Sequence, residues 1–329
     1  MSGVDHITVD DKDAGQRLDK WLLNHMPEAN FIQLQKLMRK GSIRLDGKRV
    51  KGNERIEAGQ SVRVPPRPNA GSAPAPRPKG VQSVNVSPED AAMLKDAVLY
   101  KDDDVIVLNK PAGLPTQGGT GLKRHLDGML DALRFGHHER PKLVHRLDKD
   151  TSGVLLIART SASARILTKS FQSKTTDKRY FAVVMGMPKD AEGQISMRMD
   201  KLAVRGSEKM VATPDGKHSL TDFQRVDHAG RQAAWMALKP ITGRTHQLRL
   251  HMSEIGHPIV GDGKYGGDDA FLGGIISRKL HLHARFISFD LPSGRRITVT
   301  APLPDHMKAT FHNLGFQLNE YEDLLADED

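Results

Sequence analysis

The densest concentration of chemically capable side chains lies in Lys142–Arg159, KLVHRLDKDTSGVLLIAR. His145, Arg146, Asp148, Lys149, Asp150, Thr151, Ser152 and Gly153 come directly before an apolar run, Val154–Ala158. A polar loop held by a rigid strand is a favoured seat for catalytic groups. Several chemistries compete for it. Asp150-Thr151-Ser152-Gly153 looks like an aspartic-protease loop, but it carries an extra residue and the chain has no second copy to complete a dyad. Asp148 and Asp150 could hold a cation, yet Lys149 lies between them and calcium-loop spacing is missing. A polar turn with no chemistry stays open as well.

A second cluster is Thr242–His251, TGRTHQLRLH, in which Arg244, His246, Arg249 and His251 fall within ten residues. Such a concentration of cations and hydrogen-bonding groups suits an acid or a phosphate. His246 and His251 lack zincin spacing and no Glu follows as HExxH requires. His281 and His283 alternate on one strand face, where core or surface histidines are expected rather than ligands. Three glycine-rich stretches, 118–121, 261–267 and 273–274, fail the phosphate-loop pattern, and no Ser-His-Asp triad has a recognisable local context. The chain has no cysteine, which excludes disulfides, thiolate metal sites and thiol nucleophiles.

The elements that must carry these clusters divide into two groups, as a length of 329 residues suggests. Six of the 18 prolines fall between Pro65 and Pro78, in a solvated linker. Before it, Leu18, Trp21 and Leu22 have helical spacing, as do Phe31, Leu34, Leu37 and Met38, with Gly41 placed to cap the second helix. Ile43 and Leu45 then lead into Asp46-Gly47, a hairpin-turn pair. After the linker, Ser87-Pro88-Glu89-Asp90 reads as a capped helix start. Strands are expected at Val98–Tyr100, Val105–Asn109, Val154–Ala158, Tyr180–Met185, Ala233–Leu238, Leu280–Phe289 and Arg296–Thr300, with a helix at Ser161–Gln172. Many strands and few helices predict an α+β fold with a largely antiparallel sheet.

Charge points to a partner. Lys and Arg number 49 against 40 Asp and Glu, a net +9, and Asn319–Asp329 alone holds six acids and no base. The remaining body is correspondingly more basic, a common footprint of nucleic-acid binding. Between Phe31 and Arg55 stand eight bases, Lys36, Arg39, Lys40, Arg44, Lys48, Arg49, Lys51 and Arg55, against two acids. Two helices and a hairpin of that charge are the right size to grip a phosphate backbone. No apolar run approaches a membrane span, and MSGVDHITVDDKD is acidic where a secretory signal is basic and then apolar. The expected compartment is the cytoplasm.

HRLDKDTSG (145–153) closely resembles the signature of the RluA family of pseudouridine synthases. Three further segments of that family recur in order: YKDDDVIVLNKPAGLPTQ (100–117), KRYFAVVMG (178–186) and ITGRTHQLRLHMSEIGHPIVGDGKYG (241–266). RLDKWLLNHMP, LQKLMRKGSIRLDGKRV and IEAGQSVRVP resemble an S4 RNA-binding domain, and QGGTGL (117–122) resembles the family's C-type branch. The resemblance implies an S4 (αL-type) domain over 15–65, a linker over 66–87, a catalytic domain with a mixed, largely antiparallel sheet over 88–315, and a disordered acidic tail over 316–329. It implies Asp148 as catalytic carboxylate, Tyr180 stacked on the target base, and Arg249 paired with the aspartate. Arg146 would fill the helical stack that the uridine leaves, and Leu282 would line the base pocket. The implied activity is isomerisation of specific uridines in large-subunit (23S) ribosomal RNA, and a monomer is taken as the working expectation. That reaction adds no group and changes no redox state, so neither metal nor nucleotide cofactor is expected. A non-catalytic ribosome assembly factor, a nucleobase glycosylase and a tRNA-modifying enzyme are the competing readings.

Overall fold

The computed structural model describes residues 4–26, 29, 31–65, 86–118, 122, 124–173, 175–204, 207–319 and 321. The Pro-rich stretch, most of QGGTGL and the acidic end from 322 lie outside them. The chain divides into two compact units, Met1–Gln82 and Ser83–Asp329.

The N-terminal unit runs β1 (Asp5–Thr8), α1 (Leu18–His25), α2 (Phe31–Lys40), β2 (Arg44–Leu45), β3 (Lys48–Arg49) and β4 (Ser61–Val64). Its sheet order is β1-β4-β2-β3. The two helical stripes close one core around Leu18, Trp21, Leu22, Leu34 and Met38, together with Ile43 and Val62. Gly41 ends α2 with a left-handed φ of 73°, as its position predicts. β1 extends the module before residue 15, because Asp5–Thr8 pairs antiparallel with Ser61–Val64. Four residues with a single buried alternation carry too little pattern to be seen in sequence.

The second unit comprises α3 (Pro88–Asp96), β5 (Val98–Lys101), β6 (Val105–Lys110), α4 (Leu126–Met129), β7 (Lys142–Leu143), β8 (Ser152–Ala158), α5 (Ser161–Ser173), β9 (Asp177–Met185), β10 (Glu192–Val204), β11 (Ser207–Ala212), β12 (Lys217–Ala229), β13 (Ala233–Pro240), α6 (Gln247–Glu254), β14 (Leu282–Asp290), β15 (Arg296–Thr300) and α7 (Asp305–Leu314). Ser87 caps α3 by accepting from the Asp90 N–H at 3.1 Å. The strands form one 11-stranded sheet, β11-β10-β12-β13-β9-β14-β8-β6-β5, with β15 beside β14 and β7 beside β8. Among the described residues its single parallel pairing joins β14 to β8. The sheet is therefore mixed and largely antiparallel, as expected.

β8 is buried at every residue, because the sheet is covered on both faces there, and this explains its uninterrupted apolar run. The long β10 and β12 strands were not anticipated: β10 alternates inward only at Ile195, Met197 and Met199, and β12 buries the polar Ser219 and Thr221 without a clean period of two. The tail boundary also moves. α7 ends at Gly315, and Phe316 and Tyr321 return to the core against Trp235 and Phe311. The acidic composition of the tail hid two apolar anchors.

Candidate active site

The site is built where β8, β14 and β9 lie side by side. In the parallel pairing Ala284 stands opposite Gly153, whose φ is +109° and whose Cβ would come 2.1 Å from the Ala284 carbonyl oxygen. Only glycine fits that crossing. On the other side of β14, Leu282 faces Ala182 and Ala284 faces Tyr180. Three strands thus bring the end of the HRLDKDTSG loop, Leu282 and Tyr180 to one place.

The loop itself is fastened at several points. The His145 Nε2 accepts from the Leu156 N–H at 2.8 Å while its ring stacks on Phe171, centroids 4.4 Å apart. Burial, with Lys178 nearby, pushes this imidazole down to about 3, so it is a neutral structural acceptor. Thr116 donates its hydroxyl to the Leu147 carbonyl at 2.6 Å, and its oxygen accepts the Leu147 N–H at 3.2 Å. Lys110 is fully buried and donates from Nζ to the carbonyls of Pro111, Leu114 and Lys149 at 2.8, 2.9 and 3.1 Å. Burial lowers it to about 8 against the pull of Asp150 and Asp148, which still leaves an ammonium at neutral pH.

The facing wall comes from TGRTHQLRLH. Gln247 is buried and locks the turn to β12, donating to the Leu220 carbonyl and Thr221 Oγ1 and accepting from Thr242 Oγ1 and the Arg244 N–H. That turn holds His246 at a left-handed φ of 53°, uncommon for a residue with a side chain. His246 Nδ1 lies 2.8 Å from the Tyr265 hydroxyl, which also accepts from the Met210 N–H. Its Nε2 stands 3.9 Å from Asp148 Oδ2. Burial lowers His246 in spite of Asp148, with Arg249 and Lys264 acting in the same direction as burial.

Two clefts meet at Asp148. One, of about 490 Å³, is walled by Tyr180, Leu282, Ile241, Leu248 and Thr151. The other, of about 690 Å³, carries Lys149, Lys264, Arg278 and Lys279. Arg146, Asp148, His246 and Arg249 line both. A carboxylate therefore stands between a cleft of mixed lining, with Tyr180, Leu282 and Ile241 beside Lys178 and Arg244, and a second cleft rich in cations.

A chain of this description has relatives. Residues 104–254 match the family model described as RNA pseudouridylate synthase. The chain is 35% identical over 316 residues to the ribosomal large subunit pseudouridine synthase C of Vibrio vulnificus, covering 94% of this chain and 96% of that one. It is 34% identical over 317 residues to the protein of the same name from Escherichia coli K12, covering 94% and 95%. The solved human RNA pseudouridylate synthase domain containing 4 superposes with a TM-score of 0.58 at 27% identity, over 68% of this chain and 95% of that one. The chain belongs to the RNA pseudouridine synthase family.

For a pseudouridine synthase, the structure brings together Asp148, Arg146, Tyr180, Arg249 and Leu282 as the sequence predicts, with one change of partner. Arg249 does not fork onto Asp148. Its Nε and Nη2 donate to Asp262 Oδ2 and Oδ1 at 2.7 and 2.6 Å, and Asp262 is buried. Burial opposes the Arg249 charge, but Asp262 and then Asp148 outweigh it and push the guanidinium up. Asp148 thus feels Arg249 as a nearby charge rather than a hydrogen-bonded partner.

Tyr180 is pushed up by burial and by Asp148. It keeps its proton at neutral pH, which suits a neutral stacking ring rather than a phenolate base. His251 leaves the site: it is buried, its Nε2 is 2.8 Å from Ser219 Oγ, and burial lowers it to about 4. His281 and His283 are core residues, placed 2.8 Å from Thr310 Oγ1 and Ser152 Oγ. Sequence reasoning placed His246 in a cationic cluster without a role, and it did not single out Asp262, Lys110 or Thr116. Asp262 follows Gly261, whose φ is +83° and whose Cβ would come 2.0 Å from the Lys279 carbonyl oxygen. The GDG triplet was the available signal for that tight turn.

In the N-terminal unit, Lys36, Arg39 and Lys40 are exposed on α2, and Lys48, Arg49 and Lys51 on or beside the hairpin, while Arg44 is half-buried.

Proposed function

We propose that the protein isomerises specific uridines of large-subunit (23S) ribosomal RNA to pseudouridine, with Asp148 as the catalytic carboxylate. The observation that carries this reading is the place of Asp148 on the wall shared by the cleft of Tyr180 and Leu282 and the cation-rich cleft. The names of the relatives supply the ribosomal substrate.

The reaction breaks the bond from C1′ to N1, turns the uracil and joins C5 to C1′. C5 gives up a proton and N1 takes one, so no atom is gained or lost and no cofactor is called for. The target must first leave its helix, at a cost of a few kcal/mol. Lys149, Lys264, Arg278 and Lys279 would hold the flanking phosphates, and Arg146 would occupy the vacated stack. The uracil would enter between Tyr180 and Leu282, where Asp148 meets the sugar–base junction. Arg249 stands near enough to interact with Asp148 through its charge.

The N-terminal unit reads as an S4 RNA-binding module, supported by exposed bases on one helix and its following hairpin. No helix among the described residues is long and apolar enough to cross a membrane. A cytoplasmic ribosome-biogenesis role goes with the substrate.

The test maps pseudouridines, by carbodiimide adduct and primer extension, in unmodified large-subunit ribosomal RNA. Wild type should create sites that Asp148→Asn does not, while the variant still binds the RNA. Sites made equally by both proteins would remove Asp148 from the chemistry. Sites in tRNA alone would replace the substrate.

A further inference from the structure

We propose that the Thr151 hydroxyl is a direct contact to the uracil edge of the flipped nucleotide, an inference that rests on the pseudouridine synthase reading. Thr151 is 2% exposed, and its Oγ1 is buried without a hydrogen-bond partner. A hydroxyl left so carries a desolvation penalty that the free enzyme does not recover, and such a group in a native fold calls for an explanation. Thr176, Trp235 and His251 also hold an unpartnered buried atom, but none of the three lines either cleft.

The backbone at Thr151 is held, which leaves rotation of the side chain as the way for its hydroxyl to turn to a partner in the slot of Tyr180 and Leu282. The neighbouring Ser152 is tied to His283 Nδ1 at 2.8 Å, and Gly153 is pinned against Ala284 in the parallel pairing. The chain also leaves Thr151 three residues from Asp148, on the same fastened loop.

Position chooses the ligand. Thr151 lines the slot shared with Tyr180 and Leu282 and is absent from the cationic channel. What enters the slot is the base, while the sugar–phosphate chain follows the bases of the channel wall. The uracil edge presents two carbonyl oxygens and an N–H, each stripped of water on entry. A threonine hydroxyl can donate to one or accept from the other. Hydroxyl and uracil edge thus each lack a partner until they meet.

The test compares Thr151, Thr151→Val and Thr151→Ser in an Asp148→Asn background, so that binding is read without turnover. The probes are a stem-loop carrying a mapped target uridine and the same stem-loop with an abasic tetrahydrofuran unit there. Valine should weaken binding of the uridine RNA roughly tenfold, leave the abasic RNA unaffected, and be rescued by serine. Its melting temperature should equal or exceed that of the parent, because valine removes an unsatisfied group in the same volume. Should the valine variant fail to fold, Thr151→Ala carries the same comparison of RNAs.

Equal affinity of parent and variant for the uridine RNA would overturn the contact. So would an equal loss on the abasic RNA, which would place the hydroxyl on sugar or phosphate, or a fall in melting temperature of several degrees, which would make it structural. Wild-type turnover on the same stem-loop separates the two readings. Pseudouridine without a valine effect rejects the contact alone, and a uridine-specific valine effect without pseudouridine rejects the activity alone.

Discussion

Arg249 reaches Asp262 with two hydrogen bonds of 2.7 and 2.6 Å, and so spends its fork on a buried carboxylate rather than on Asp148. Asp262 closes a turn that Gly261 makes possible, and Tyr265 covers the pair with its ring centroid 5.2 Å from the Arg249 guanidinium carbon. Arg249 is in this way both the nearby cation for Asp148 and a structural strut between α6 and the loop after it.

Arg249→Met should therefore cost stability as well as turnover. It strands Asp262, and breaking a buried ion pair from one side typically costs about 3–5 kcal/mol. The double variant Arg249→Met/Asp262→Leu removes both charges and should recover much of the melting temperature while staying inactive. Thermal unfolding and a pseudouridine assay on the three proteins check this. A single variant as stable as wild type would show that the pair does not hold the turn.

Lys110 is the second strut. Its ammonium satisfies three carbonyls, including that of Lys149 next to Asp148, and nothing else in the described structure donates to all three. Lys110→Met keeps the apolar stem but leaves the carbonyls short of a charged donor, a contact worth about 1.5–3 kcal/mol. The expected result is a lower melting temperature and turnover reduced at least tenfold, with RNA binding retained. Full activity would mean that the loop holds Asp148 without this anchor.

What the sequence shows and hides follows from how local each signal is. Asp148, Tyr180 and Leu282 were legible because each sits in or beside a run with a recognisable neighbourhood, and strand alternation placed their elements. The Arg249 partner was not, because Asp262 lies 13 residues away across a turn whose direction only the packing fixes. Lys110 reads as a strand-end charge until the carbonyls that surround it are seen. His145 and His251 read as chemistry by type alone, whereas burial makes them neutral; His281 and His283, expected as core or surface histidines, are neutral core groups.

Those four histidines set an acid limit on the fold. His145 and His283 are lowered to about 3, and His251 and His281 to about 4, mainly by burial. The unfolded chain takes up protons near pH 6.5, where the native fold does not. Their depressed values make the folded state comparatively strong above about pH 6.5, and that advantage is lost as pH falls towards 4. The melting temperature should drop steadily across this window. His145→Gln, which can still accept from the Leu156 N–H, should flatten the slope by up to one proton, about 1.4 kcal/mol per pH unit. An unchanged slope would mean that His145 is protonated in the fold.

The N-terminal unit makes a prediction separable from the chemistry. Lys36, Arg39, Lys40, Lys48 and Arg49 are exposed, and none of them is within the two clefts around Asp148. If they meet phosphates, each contact releases counterions, and the logarithm of affinity falls with that of salt by about 0.7–0.9 per phosphate. Replacing Arg39, Lys40, Lys48 and Arg49 with glutamine should lower this slope by about 3. Turnover at saturating RNA should stay within twofold of wild type, because Asp148, Tyr180 and Arg249 are untouched. Filter binding of large-subunit ribosomal RNA from low to moderate salt, beside single-turnover kinetics, reads both quantities. A salt slope equal to that of wild type would take the RNA grip away from this helix and hairpin and leave it with the cationic channel beside Asp148.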